Sequence, residues 1–254
     1  MSLRVCHNVY IPLRESPSHR SEMTSQILFG ERFGIVESAS NWLKVVTLFD
    51  SFTGWIDGSQ AITQEWDPAE KGIITGRELR CIRPDRSVIT LMPGSELFRA
   101  DLATGTFLCA DEEWQLVEKP YMQSVSPAGT VIETAMQFLN TPYLWGGRTT
   151  GGIDCSGLVQ VVYKIHGVQL PRNAAEQAET GEIVSFIEEA LPGDLLFFSC
   201  ENEAISHVAL FIAPGKVLHS SGTVKTDTVD HQGIWSADKG KYTHFLRTIR
   251  RIRI

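Results

Sequence analysis

The sequence predicts an α+β domain, with helices packed on an antiparallel sheet, preceded by two small β-barrels. Three observations carry this expectation. Short strand-like runs separated by turn residues fill the first 120 positions, a helix-opening signature appears at residue 130, and turn-punctuated apolar runs return after residue 194. At 254 residues the chain is long enough for two or three small units with real cores.

Residues 1–62 are assigned to the first barrel. In Trp42-Leu43-Lys44-Val45-Val46 the residues alternate between faces, and Gly54-Trp55-Ile56 follows a turn-like Asp50-Ser51. The only helical period here is a short stretch around Glu22 to Leu28. Residues 63–122 form the second barrel, from Val88-Ile89-Thr90-Leu91, Leu97-Phe98, Thr106-Phe107-Leu108 and Trp114-Gln115-Leu116-Val117. Pro120 to Gly129, with Ser124, Ser126 and Pro127, reads as a linker into a domain over 127–254.

That last domain opens on Thr130-Val131-Ile132-Glu133, a capping box whose helix must end before Pro142. Leu158, Val159, Val162 and Tyr163 recur at helical spacing, and Gly167 closes this second helix. Asn173, with Glu176 three residues on, starts a third short helix. Strands follow over 194–198, 208–212 and 216–219, with Pro192-Gly193 and Pro214-Gly215 as turns.

Composition narrows the function. The chain is 43% hydrophobic and 21% charged, as an ordinary globular protein is, and carries a net charge of −7. That balance speaks against a nucleic-acid binder or an anionic-membrane binder. Cys6, Cys81, Cys109, Cys155 and Cys200 are odd in number and lack a C-x-x-C pair, so neither a disulfide framework nor a zinc site is expected. With no signal-peptide core or membrane-length apolar run visible, the expected location is the reducing cytoplasm.

The chemistry centres on Asp154-Cys155-Ser156-Gly157, where a glycine-rich loop enters the second helix. Asp154 is a natural N-cap, which puts Cys155 in the first turn. There the helix dipole and free backbone N–H groups favour a thiolate, and the same N–H groups can hold an oxyanion. His207 and His219, 12 residues apart across the Pro214-Gly215 turn, supply a base and its orienter. Both histidines must share one face of the sheet, which a regular two-residue turn would forbid. A three-residue turn or a bulge is therefore expected, with Gly215 at positive φ. Cys6, Cys81, Cys109 and Cys200, and His7, His19, His166, His231 and His244, are taken as structural or incidental.

These residues resemble the NlpC-type family of cell-wall cysteine peptidases, relatives of papain. The match runs through Thr141-Pro142-Tyr143-Leu144-Trp145-Gly146-Gly147, Asp154-Cys155-Ser156-Gly157 and Leu170-Pro171-Arg172. It continues in Pro192-Gly193-Asp194-Leu195, Ser206-His207-Val208 and Val217-Leu218-His219. The resemblance implies a papain-like catalytic domain with Cys155 as nucleophile, His207 as base, His219 as third polar residue and Tyr143 at the oxyanion site. No metal or cofactor is implied. The first 120 residues resemble paired bacterial SH3-like domains, through Arg14, Pro17, Ser21-Glu22, Gln26, Gly30-Glu31, Trp42 and Gly54-Trp55. The resemblance implies a γ-D-glutamyl-L-diamino acid endopeptidase that recycles murein peptides, with a murein-derived peptide as substrate and neither nucleic acid nor membrane as a partner. In that subgroup the first barrel closes one end of the cleft.

By that resemblance Glu22 binds the free amine of the substrate's L-Ala, while Asp154, Ser156, Arg172 and positions 52 and 173 are further substrate contacts. The sequence departs from the subgroup at two of these. Phe52 replaces a tyrosine and Asn173 an aspartate, so weaker discrimination for a free N-terminal L-Ala is expected. The rival readings are a same-fold hydrolase or acyltransferase with another substrate, and a non-catalytic protein that binds wall fragments.

Overall fold

The computed structural model describes residues 3–61, 65–66, 72–101, 103–118, 130–200, 204–237 and 239–254. The expected linker from Pro120 to Gly129 lies outside them. The chain divides into two compact units. One is Met1–Ala128 with Trp145–Thr149, and the other is Gly129–Leu144 with Thr150–Ile254.

The first unit holds two six-stranded antiparallel sheets. The first contains β1 (Leu3–Val5), β2 (Tyr10–Arg14), β3 (Met23–Leu28), β4 (Arg32–Ala39), β5 (Trp42–Thr47) and β6 (Thr53–Asp57), in the order β1-β4-β5-β6-β2-β3. The second repeats that order with β7 (Ile73–Ile74), β8 (Leu79–Ile82), β9 (Val88–Leu91), β10 (Glu96–Asp101), β11 (Thr106–Cys109) and β12 (Glu112–Leu116). Residues 23–28 are strand, not the helix their spacing suggested. Ser25 to Leu28 are all buried between neighbours, and tertiary pairing with β2 overrides a weak local period.

The sheets share packing, because Val5 and Phe29 belong to the same buried cluster as Leu97, Phe107 and Trp114. At this joint the Glu96 N–H donates to Phe29 O at 2.9 Å. Gly30 has φ +80°, and a Cβ there would sit 2.1 Å from Glu96 O, so only glycine fits. Cys6, Cys81 and Cys109 are buried free thiols whose pKa values burial raises, as befits small core residues. The segment Trp145–Thr149, with β13 (Arg148–Thr149), also belongs to this unit. Arg148 is buried and makes two bonds to Glu31, both at 2.8 Å, and one to Gln26 O at 2.6 Å.

In the second unit α1 (Val131–Met136) begins with the expected capping box. Thr130 N donates to Glu133 Oε2 at 2.6 Å, and Glu133 N to Thr130 Oγ1 at 3.2 Å. After β14 (Gly152–Ile153) comes α2 (Cys155–Ile165), buried along its whole length and packed against α1 and the sheet. Gly167, at φ +79°, ends it. Next is the single turn of α3 (Ala174–Gln177), for which Asn173 holds the N-cap position without a side-chain bond.

The remaining strands are β15 (Glu182–Val184), β16 (Leu195–Ser199), β17 (His207–Ala213), β18 (Lys216–Ser221), β19 (Thr223–Val229), β20 (Gly233–Ser236) and β21 (Lys241–Arg251). They run β15-β21-β16-β17-β18-β19-β20, and β20 also pairs with β21, so six strands close on themselves. The unit is therefore richer in strand than the sequence suggested, and β15 and β19–β21 carried no recognised signal. Their polar, alternating residues gain stability from cross-strand pairing and not from local preference. Leu196, Phe198, Ala209, Phe211, Val217, Val229, Ile234 and Ile249 form one buried cluster. The Pro192-Gly193-Asp194 turn is anchored by buried Asp194, which receives Arg251 Nε at 2.9 Å and Leu191 N at 2.8 Å. No helix among the described residues is long and apolar enough to cross a membrane.

Candidate active site

Cys155 opens α2 because Asp154 caps it, accepting the Gly157 N–H at 2.6 Å. The backbone N–H groups of Val208 and Ser156 point at the sulfur and pull its pKa down. Burial, with help from the Asp154 charge, outweighs them and pushes the thiol up to about 11. The thiolate expected from the helix N-terminus is therefore not the resting species, since desolvation opposes charge more strongly than two donors favour it. His207, which precedes Val208 in β17, is buried, and its pKa is driven well below 6.5 by burial and then by the neighbouring His219 and His244. The resting pair is a neutral thiol and a neutral imidazole.

The hairpin geometry explains how the two histidines meet. Ala213 faces Lys216 across the two-residue Pro214-Gly215 turn, but Phe211 faces Val217, so Ile212 is an extra, bulged residue. Gly215 has φ +73°. With Leu210 opposite Leu218, His219 lies opposite Ala209, on the face that His207 shares two residues away. His207 Nε2 and His219 Nδ1 are 2.8 Å apart.

The next hairpin extends the chain of groups. His219 pairs with Lys225 and Val217 with Asp227 across β18 and β19, so Asp227 is a diagonal neighbour of His219 on the same face. Asp227 Oδ2 lies 3.0 Å from His219 Nε2 and 3.1 Å from Lys225 Nζ. From β21, His244 stacks on His207 with ring centroids 4.2 Å apart and planes at 25°. Of these two residues, the sequence alone does not single out Asp227 and gives His244 no role. Asp227 was accessible to the same parity argument, applied to the turn at Gly222, whereas His244 depends on how the sheet closes.

Tyr143 is half-buried, with its N–H donating to Gly222 O at 2.9 Å. Its phenol is pushed up to about 12 by burial and then by the nearby Cys155 and Asp154 charges. Arg172 is buried and donates to Asp154 Oδ1 and Oδ2 at 3.0 and 2.5 Å, and to Ser156 Oγ at 2.9 Å. Gln177 Nε2 adds a bond to Ser156 O at 3.1 Å. These groups hold the start of α2 rigid, and Arg172 makes its polar contacts inward. Asn173 is exposed.

Glu22 and Phe52 belong to the first unit. Glu22 is exposed beside β3, and its carbonyl accepts the Glu15 N–H at 3.0 Å. Phe52 is partly buried against Ile11, Leu13, Phe33, Val45 and Ile56. Among the described residues no group of His, Cys, Asp and Glu has metal-binding geometry.

Comparison with known proteins follows the same division. Residues 140–243 match the NlpC/P60 family, and residues 13–60 match the bacterial dipeptidyl-peptidase SH3 domain. A gamma-D-glutamyl-L-lysine dipeptidyl-peptidase of Bacillus subtilis is 29% identical over 224 residues, covering 80% of this chain and 73% of that protein. Dipeptidyl-peptidase 6 of Lysinibacillus sphaericus is 29% identical over 251 residues, covering 87% and 89%. The crystal structure of an NlpC/P60 family protein from Bacillus cereus superposes with a TM-score of 0.80. It is 19% identical and covers 98% of this chain and 99% of its own, a likeness that shows the fold. The C-terminal domain thus has the papain-like fold, and residues 140–243 of this chain are an NlpC/P60 domain, of a family of cell-wall cysteine peptidases, in a protein that also carries a bacterial dipeptidyl-peptidase SH3 domain.

Proposed function

We propose that this protein hydrolyses the γ-D-glutamyl–diamino acid amide of murein stem peptides, with Cys155 as nucleophile and His207 as general base. The observation that carries the reading is the contact of His207 with His219 at 2.8 Å, with the N–H of Val208, the residue after His207 in β17, pointing at the Cys155 sulfur. The two relatives described above, a gamma-D-glutamyl-L-lysine dipeptidyl-peptidase and dipeptidyl-peptidase 6, support the substrate class.

In this mechanism His207 takes the thiol proton as sulfur attacks the amide carbon. The backbone N–H groups at the start of α2 and the Tyr143 hydroxyl stabilise the oxyanion. The imidazolium then gives its proton to the leaving amine, which leaves a thioester on Cys155. A water molecule, deprotonated by His207, releases the γ-D-glutamyl product. His219 orients the base. Glu22, Phe52, Asp154, Ser156, Arg172 and Asn173 are proposed to govern recognition, Arg172 by fixing Asp154. A role in recycling free stem peptides in the cytoplasm belongs to the same proposal.

Mass spectrometry of L-Ala-γ-D-Glu-diaminopimelate digests tests the reaction. Wild type should release L-Ala-D-Glu, while Cys155→Ala and His207→Ala should each abolish turnover, because the pair acts as a unit. His219→Ala should retain more activity. Undiminished cleavage by Cys155→Ala would overturn the assignment. Run on free and N-acylated peptides, the same assay tests amine recognition. Phe52→Tyr with Asn173→Asp should sharpen the preference for the free amine by about tenfold, the size of one charged hydrogen bond.

A further inference from the structure

When both imidazoles carry a single proton, the hydrogen bond between them can run in either direction, and only one direction is compatible with His207 acting as a base. If His207 Nε2–H donates to His219 Nδ1, the Nδ1 of His207 keeps its lone pair and can accept the thiol proton. If His219 donates instead, the single proton of His207 sits on Nδ1 and the base is blocked. Two histidines alone leave this choice open.

We propose that Asp227 makes the choice, as a positioning residue that sets the direction of the whole chain and so the tautomer of His207. An ionised carboxylate can only accept, so Asp227 Oδ2, 3.0 Å from His219 Nε2, requires a proton at that nitrogen, and when the ring carries a single proton this is where it sits. Its Nδ1 is then an acceptor, and the 2.8 Å contact must be donated by His207 Nε2. Burial alone would raise the Asp227 pKa, but hydrogen bonds from His219 and Lys225 more than offset it and keep the carboxylate charged. Among the described residues, the titratable groups around the pair are Cys155 on α2, Lys225 and Asp227 on β19, and His244 on β21. Of these only Asp227 touches the outer nitrogen of His219. The step assigned to Asp227 moves no atom. It fixes a proton position before the reaction starts.

The proposal rests on His207 being the general base, and it predicts an inverted mutational order. In Asp227→Asn, Lys225, whose Nζ is 3.1 Å from the carboxylate, holds the amide oxygen and turns the NH₂ group toward His219. The chain then runs backwards and blocks His207. In Asp227→Ala, water can accept from His219 and partly restores the working direction. The near-isosteric Asn variant should therefore be worse than Ala. We expect kcat to fall about 10²- to 10³-fold in Asn, within the usual range for general acid–base catalysis, and by less in Ala. KM should change little, and Asp227→Glu should recover part of the rate. Loss of one carboxylate's charge while shape is kept is known to cost a Ser-His-Asp triad about 10⁴ by the same tautomer logic.

The second readout is ¹⁵N NMR of histidine-labelled protein. The proton of neutral His207 should be on Nε2 in wild type and on Nδ1 in Asp227→Asn. An Asn variant with wild-type kcat, or one less impaired than Ala, would overturn the proposal, as would an unchanged His207 tautomer. Cys155→Ala and His207→Ala, assayed beside these variants, separate the two ideas. If they are inactive while Asp227→Asn is not impaired, the peptidase reading stands and the role of Asp227 falls. If they remain active, the reading beneath it fails first.

Discussion

At Cys155 two influences oppose each other, and the structure shows which is larger. The N–H groups of Val208 and Ser156 favour the thiolate, but burial and Asp154 push the thiol up to about 11, while His207 is held neutral by burial and by two neighbouring histidines. Proton transfer from Cys155 to His207 then belongs to the reaction and not to the resting state, because burial disfavours the imidazolium–thiolate pair. Two consequences can be measured. The rate of Cys155 alkylation by iodoacetamide should rise with a thiolate titration well above pH 9, and kcat/KM should hold a plateau across neutral pH. The plateau falls on the acid side once His207 gains a proton, which happens below 6.5 because its pKa is depressed. A thiolate titrating below pH 7 in wild type, and lost in His207→Ala, would contradict this account.

At the scale of the element, the site depends on which residue of β17 stands opposite His219. Ile212 shifts the pairing so that Ala209, and not Leu210, lies opposite His219. A regular Pro214-Gly215 hairpin would turn the two imidazoles to opposite faces, since side chains alternate with a period of two. Deleting Ile212 removes the bulge but leaves Ala209 opposite His219, so the protein should keep measurable activity. Inserting one alanine after Leu210 reverses the face of His207 and should remove turnover, with the strand content seen by circular dichroism retained. Equal activity in the two variants would show that parity does not govern this site. The β18–β19 hairpin obeys the same rule, with Ser221 opposite Thr223 around Gly222, and this brings Asp227 to His219.

At the scale of the molecule, the first unit takes in a short piece of chain from within the NlpC/P60 segment. Arg148 enters a site where Glu31 is buried, and the two groups are joined bidentately at 2.8 Å, with the guanidinium 5.6 Å from the Phe49 ring. Glu31 also accepts the Leu28 N–H at 2.8 Å. A buried pair of this kind contributes little over an apolar replacement, but removing one partner strands a charge. Arg148→Met should therefore cost about 3–5 kcal/mol in denaturant unfolding of the first unit, and Glu31→Met with Arg148→Met should recover much of that loss. A single substitution costing less than about 1 kcal/mol would mean that water reaches Glu31.

Much of this protein is written locally. The capping box at Thr130, the Asp154 cap that sets Cys155 in the first turn of α2, and the turn at Pro214-Gly215 all follow from short-range chemistry, and each is legible in the sequence. The bulge in β17 follows from sequence as well, because alternation along a strand is fixed by backbone geometry and both histidines must share a face. The tertiary structure decided what local preference does not encode. It turned residues 23–28 into strand through pairing with β2, and it closed the second sheet through β20 and β21. That closure brought His244 onto His207, and burial raised the Cys155 pKa against the helix N-terminus. These outcomes depend on desolvation and on contacts between residues far apart in the chain, and neither is a property of any short stretch of sequence.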